Sequence, residues 1–293
     1  DANTPQKLDL CAGDGKLIRN LGNRKSKIFE EYSLGKTELF SIKTEDGFDL
    51  PTMWILPPDF DENKKYPVLF SVYGGPGGTD VTNSFSAYLE RYFISQSGII
   101  YFVVDHRGSA YFGKKGKDYL YHNLGKWEIN DYSEAVKWLK TKPFVDTTKI
   151  GINGGSYGGY VTCMALTLGA DYFTYGLAEY SVTDWALYDN VYTERYMGLP
   201  AENKEGYMFG SAMTHANKYK GLLRLTHGTL DDNCHIQNTL QLVDKFTSMN
   251  KHFELMLYPN ERHGVGFPKW VHAQTEYVRF WYKNFLGKDF GND

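Results

Sequence analysis

The chain has 293 residues, enough for one large domain or two small ones with a buried core. Its net charge is −3 with no basic block, which argues against nucleic acid or an anionic membrane surface as a partner. No apolar run is long enough to span a bilayer, none resembles a signal-peptide core, and the 3 cysteines form neither a disulfide framework nor a CxxC pair. The 8 histidines show no H-E-x-x-H or comparable ligand spacing, so no metal is expected.

Residues 1–30 are polar and stand apart from the regular pattern of 31–293. Within them "GDGKLIRNLG" (13–22) reads as a turn followed by one strand without a partner. From Glu38 onward, "TELFSIK" and "FDLPTMWIL" read as antiparallel strands joined at the turn "TEDG" (44–47). "VLFSVY" (68–73) and "IIYFVV" (99–104) are continuous apolar runs of the kind found in strands buried on both faces, with a helix-like segment at 85–97 between them. "NDYSEAVKWLKT" (130–141) predicts an amphipathic helix, with Asp131 as its cap and Glu134 closing a capping box. There follow a short strand "TKIGI" (148–152), a helix over 157–168, a strand "TYGLAEY" (174–180) and a strand "GLLRLTHG" (221–228). A helix near 236–249, a strand "FELMLYP" (253–259) and a long helix at about 268–286 complete the series. Strands alternating with helices imply βαβ units in a mostly parallel sheet flanked by helices, an α/β architecture whose chemistry sits at the carboxyl ends of the strands.

The densest signal is "INGGSYGGYV", where Gly154, Gly155, Gly158 and Gly159 crowd Ser156. Glycine costs conformational entropy, so this clustering implies a sharp turn or a close approach of backbone. The stretch fits G-x-S-x-G, a strained strand-to-helix turn that holds a serine hydroxyl out of the fold. Its context is right: a β-prone run precedes it, and Val161, Met164, Ala165 and Leu168 follow at helical spacing before Gly169.

A serine held this way needs a base, and the base needs a carboxylate to orient it. Two strand ends supply them in the chain order expected of such folds. "HGTLDDN" delivers Asp231 and Asp232, and "YPNERHG" delivers His263. The residues alone do not choose between Asp231 and Asp232. His227 precedes a strand-end glycine and reads as a structural hydrogen-bonder, and Cys163, on the helix after the serine, as a small buried apolar residue.

With these residues in place, "SVYGGPGG", "GGSYGGYV", "VYTERYMGLP", "HGTLDDN" and "ERHG" resemble, in order and spacing, the prolyl oligopeptidase family of serine peptidases, and most of all its dipeptidyl peptidase IV branch. The resemblance covers roughly 38–286 and implies an α/β-hydrolase catalytic domain, commonly preceded by a β-propeller. It makes Ser156 the nucleophile, His263 the general base and Asp231 the orienting carboxylate. It assigns the Tyr73 hydroxyl and the Tyr157 N–H to the oxyanion. A position at a strand's carboxyl end before a Gly-rich loop suits Tyr73 to that task on independent grounds.

Residues 172–196 hold 6 tyrosines and Trp185. As plain core this would be unusual, because each buried hydroxyl or indole N–H must find a partner. The resemblance makes Tyr157, Val182, Trp185, Tyr188 and Tyr192 the walls of a pocket for proline, with Asn233 on a substrate carbonyl and Cys234 in the lining. The proline ring, rigid and lacking an N–H, suits flat aromatic walls. Two departures stand out: Gly155 where the branch usually has Trp, which implies a more open wall, and Cys234 where it tends to an aliphatic residue. The expected function is cleavage after proline or alanine near the amino terminus of peptides, with no cofactor. An N-terminal propeller and a homodimer are the partners that the resemblance implies, and residues 1–30 would be a remnant of that propeller. An esterase or acylaminoacyl-type hydrolase would use the same triad but is disfavoured by Tyr73. A catalytically silent interaction module is disfavoured by the retained Ser, Asp and His.

Overall fold

The continuous apolar runs become the centre of a sheet in the computed structural model, which describes residues 1–25, 27–85 and 89–291. Strands β3 (Thr37–Lys43), β4 (Asp49–Ile55), β5 (Tyr66–Ser71), β6 (Ile100–Val104), β7 (Val145–Gly155), β8 (Tyr175–Glu179), β9 (Leu222–Gly228) and β10 (Glu254–Tyr258) form one sheet among the described residues. Its order is β10-β9-β8-β7-β5-β6-β4-β3. From β6 to β10 every neighbouring pair is parallel, whereas β3–β4 and β4–β6 are antiparallel. The mostly parallel sheet is the one expected from the alternating pattern, and the whole is the α/β-hydrolase arrangement that the resemblance implied.

Both faces of the sheet are covered, which is why β5 and β6 carry no polar alternation. Val68 and Phe70 of β5, with Ile100, Phe102 and Val104 of β6, enter the larger core with α3 (Lys126–Lys140), α4 (Tyr157–Thr167) and α7 (Gln237–Ser248). Leu69, Tyr101 and Val103 point the other way, into a core shared with α1 (Leu89–Gln96) and α8 (Lys269–Trp281). Every residue of α4 is buried, so the helix after the serine has no solvent face. Helices α2 (Gly113–Leu120), α5 (Asn190–Met197) and α6 (Lys204–Phe209) lie in the connections. No helix among the described residues is long and apolar enough to cross a membrane.

Three expectations need correction. The orphan strand has a partner: β1 (Lys7–Cys11) pairs antiparallel with β2 (Leu17–Asn23) in a separate two-stranded sheet, a pairing that the short, charged "KLDLC" did not announce. The helix read from Asn130 starts at Lys126, and its cap is Gly125, whose N–H donates to Glu128 Oε2 at 3.0 Å. Asp131 is not a cap; it is buried in the second turn, where Arg107 donates to both its oxygens at 2.6–3.0 Å. The helix expected over 85–97 is observed as α1, and residues 86–88 lie outside the described residues. The terminal helix runs as α8 to Trp281 and then widens into a π-turn, Tyr282–Leu286.

Candidate active site

Ser156 sits between β7 and α4 at φ 58° and ψ −117°, a left-handed conformation that costs a non-glycine residue on the order of 1–3 kcal/mol. The flanking glycines make the turn possible. A Cβ on Gly154 or Gly158 would overlap the Val72 carbonyl oxygen, and one on Gly158 would also lie 3.1 Å from the Val72 carbonyl carbon. The backbone of the β5 loop is thus pressed against the turn. Ser156 N–H donates to Glu179 O at 2.9 Å, which fixes the turn to the end of β8.

The hydroxyl so presented meets a histidine. His263 Nε2 lies 2.9 Å from Ser156 Oγ, and His263 Nδ1 lies 2.9 Å from Asp231 Oδ2. A carboxylate only accepts, so Nδ1 carries the proton and Nε2 is left to accept from the serine. Asp231 is fully buried and its second oxygen accepts from the N–H groups of Asn233 (2.9 Å) and Cys234 (3.0 Å). Asp232, its neighbour, points outward and pairs with Arg262. Of the two carboxylates that the residues left open, Asp231 faces His263 and Asp232 faces out.

His227 holds the same loop from beneath. Its Nδ1 meets Thr239 Oγ1 at 2.8 Å, its Nε2 meets Cys234 O at 2.7 Å, and Nε2 also lies 3.2 Å from Asp231 Oδ2. Burial pulls its pKa below the ordinary histidine value, so it stays neutral beside the carboxylate. It is structural, as its position before the glycine indicated.

Tyr73 follows β5 by two residues and its ring is 46% exposed, with its centroid 6.1 Å from that of Tyr157. Its hydroxyl has no hydrogen-bond partner among the described residues, and burial raises its pKa, so the phenol remains a proton donor. The backbone N–H of Tyr157 lies at the first position of α4, among the amides that a helix leaves unpaired. The Tyr157 hydroxyl points away and donates to the buried Glu128 at 2.6 Å, an anchor that the sequence did not reveal.

The aromatic segment forms a single stack beside the serine. Trp185 lies 5.4 Å from Tyr157 and parallel to Tyr192 at 6.0 Å, and Tyr188 meets Tyr192 edge-on at 5.5 Å. Tyr157, Val182, Trp185 and Cys234 are buried, while Tyr188 and Tyr192 are partly exposed. The Tyr188 hydroxyl donates to Asn233 Oδ1 at 2.7 Å, which joins the stack to the Asp231 loop. The Cys234 thiol, pushed up to about 12 by burial, is no nucleophile.

At Gly155 the ring of Tyr180 borders the space beside the nucleophile. A Cβ there would come within 2.5 Å of Tyr180 Cζ and 2.7 Å of its Cε2. The same ring stands edge-to-face on His263 at 4.7 Å. A cleft of about 550 Å³ opens beside it, lined by Tyr73, Arg91, Gly155, Ser156, Glu179 and Tyr180.

Comparison with known proteins places the chain in a family. Residues 83–289 match the model of the prolyl oligopeptidase family. A probable dipeptidyl-aminopeptidase B of Arthroderma benhamiae is 41% identical over 271 residues, covering 90% of this chain and 29% of its own length. The corresponding protein of Trichophyton verrucosum is 41% identical over 268 residues, covering 89% and 29%. The chain therefore spans under a third of the curated relatives it matches. Among solved structures, dipeptidyl peptidase 4 of Porphyromonas gingivalis superposes with a TM-score of 0.90 at 33% identity, covering 97% of this chain and 41% of that one. A putative dipeptidyl aminopeptidase IV of Bacteroides ovatus gives 0.90 at 31% identity with the same coverage. On the family match, these relatives and the strand order around Ser156, the chain belongs to the prolyl oligopeptidase family.

Proposed function

We propose that the chain is the catalytic part of a serine exopeptidase that releases dipeptides from peptides carrying proline, or less readily alanine, near the amino terminus. The observation that carries this reading is the unbroken relay from Ser156 Oγ through His263 to the buried Asp231, with both bonds at 2.9 Å. His263 Nε2 takes the serine proton as Oγ attacks the scissile carbonyl, and returns it to the departing amine. The tetrahedral oxyanion lies against the Tyr157 N–H and the Tyr73 hydroxyl. Water activated by His263 then hydrolyses the acyl-enzyme on Ser156. The stack of Tyr157, Trp185, Tyr188 and Tyr192, with Val182 and Cys234, holds the proline ring, and Asn233 holds a substrate carbonyl.

The names of the relatives support dipeptide release, and the aromatic stack supports proline. In the full-length protein, 31–293 would be the hydrolase domain, and 1–30 part of a propeller whose acidic groups bind the substrate's free amine. The hairpin β1–β2 supports this, because Leu8, Leu17 and Ile18 are each at least 60% exposed with no core of their own. A homodimer would give Phe267, Trp270 and Val271, exposed at the start of α8, a partner. Hydrolysis of chromogenic Xaa-Pro and Xaa-Xaa-Pro amides by the full-length protein, with free and blocked amino termini, tests the reading. Turnover of free Xaa-Pro amides alone is expected. Equal turnover of blocked substrates would mean an endopeptidase or acylaminoacyl peptidase, and preference for Xaa-Xaa-Pro a tripeptidyl peptidase.

A further inference from the structure

Tyr73 presents a paradox of placement. Its ring is nearly half exposed and its hydroxyl binds no described residue, yet an oxyanion donor must be aimed to within a fraction of an ångström. What fixes it is the backbone on either side. Tyr73 N–H donates to Asp80 Oδ2 at 2.8 Å, and Gly74 N–H shares the same oxygen at 3.3 Å. Asp80 is itself held, since its N–H donates to Asp105 Oδ1 (3.0 Å) and Oδ2 (3.2 Å), and Val81 N–H donates to Asp105 Oδ2 (2.9 Å). Asp105 is buried at the end of β6, and its own N–H donates to Pro51 O of β4 at 2.9 Å. Burial raises its carboxyl to about 6, which leaves it ionised and accepting at neutral pH.

The other side of the loop is pinned by His106. Its Nδ1 accepts from Gly108 N–H at 3.1 Å, so Nε2 carries the proton and donates to Gly74 O at 2.9 Å. The ring of Tyr73 then rests on the loop itself, where a Cβ on Gly75 would lie 2.5 Å from its Cε1. A carboxylate beside a site of developing negative charge is electrostatically adverse, and Asp80 already raises the Tyr73 pKa. Its presence there calls for a compensating role, and the bonds to the Tyr73 and Gly74 amides provide one.

We propose that Asp80 is a positioning residue for the reaction: it clamps the Tyr73–Gly74 backbone and thereby aims the Tyr73 hydroxyl at the oxyanion. The inference rests on the reading of Tyr73 as an oxyanion donor. The Asp80 side chain accepts from the Tyr73 and Gly74 amides and makes no hydrogen bond to Ser156 or His263. Its effect is transmitted through Tyr73 alone, and it therefore has no work to do once the hydroxyl is gone.

The test is a double-mutant comparison in the full-length protein, with kcat and KM measured on an Xaa-Pro amide and melting temperature as a check on folding. Asp80→Ala is expected to lower kcat by about 10- to 100-fold, the scale of a small misplacement of a catalytic group, with KM within twofold. Asp80→Asn keeps an oxygen for the two amides and drops the charge, so it should restore most of kcat. Asp80→Glu keeps the charge but displaces the oxygens, so it should behave like Asp80→Ala. In a Tyr73→Phe background all three should fall within twofold of one another. Should Asp80→Ala fail to fold, the order of Asn above Glu in the Tyr73 protein, and its disappearance in the Tyr73→Phe protein, carries the same result. Equal losses in both backgrounds, or Glu performing as well as Asn, would overturn the positioning role. A Tyr73→Phe protein with undiminished kcat would instead overturn the oxyanion reading on which it rests.

Discussion

The turn around Ser156 and the aromatic segment that follows β8 stand side by side, but they are built on opposite principles. In the turn, main chain meets main chain: Gly154 and Gly158 lie against the Val72 carbonyl, and a Cβ on Gly159 would be 2.6 Å from Glu179 O. At Gly154 and Gly158 no side chain could relax to admit a change. Trp185, Tyr188 and Tyr192, by contrast, touch ring to ring at 5.5–6.0 Å, where a lost ring leaves neighbours that can shift. Geometry fixed by backbone collision governs whether the chemistry occurs. On the proposed function, geometry fixed by side-chain packing selects the substrate.

The largest effects should therefore fall on the turn and its relay. Ser156→Ala or His263→Ala should each lower kcat by roughly 10⁶-fold, with the double mutant scarcely worse, because such groups act as a unit. A fluorophosphonate probe should label Ser156, and labelling of another serine would remove the turn from the mechanism. Next, Asp231→Asn should cost about 10⁴-fold in kcat through the wrong histidine tautomer, while Asp232→Asn, exposed on Arg262, should change it little. A larger loss in Asp232→Asn would reverse the two assignments.

Tyr73→Phe comes third, with kcat down by roughly 10²–10³ and KM nearly unchanged. Its half-exposed ring keeps its packing, so the melting temperature should hold. The smallest effect belongs to the stack. Tyr188→Ala should raise KM for proline substrates and weaken discrimination against larger residues by about 1–3 kcal/mol, with kcat preserved. Tyr188 serves better than the fully buried Trp185, whose removal would open a core cavity worth about 3–5 kcal/mol of stability. A loss confined to kcat in Tyr188→Ala would erase the contrast between the two regions.

What the sequence made legible was local. Glycines around Ser156, turn residues at the ends of β9 and β10, and apolar runs in β5 and β6 each announce their conformation within a few positions. What it concealed depends on partners far along the chain. Asp131 looks like a cap by its spacing to Glu134, but it is claimed by Arg107, 24 residues away. Asp231 and Asp232 share one turn, and only the fold says which faces His263. What surrounds Gly155 depends on Tyr180, 25 positions later, whose ring lies against the glycine and lines the same cleft. Of the β1–β2 hairpin the second strand was read, but its partner, the short and charged KLDLC, was not.

The bond between His263 and Ser156 spans 107 residues, and it exists only when β10 has paired with β9 at the outer edge of the sheet. The serine is raised on its turn between β7 and α4, whereas the base follows the edge strand β10. Long-range parallel pairing is slow to form, and an edge strand is among the first elements to open. The contact between imidazole and serine thus depends on the edge strand of the sheet. When β10 leaves that edge, Ser156 stays on its turn without the imidazole that accepts its proton.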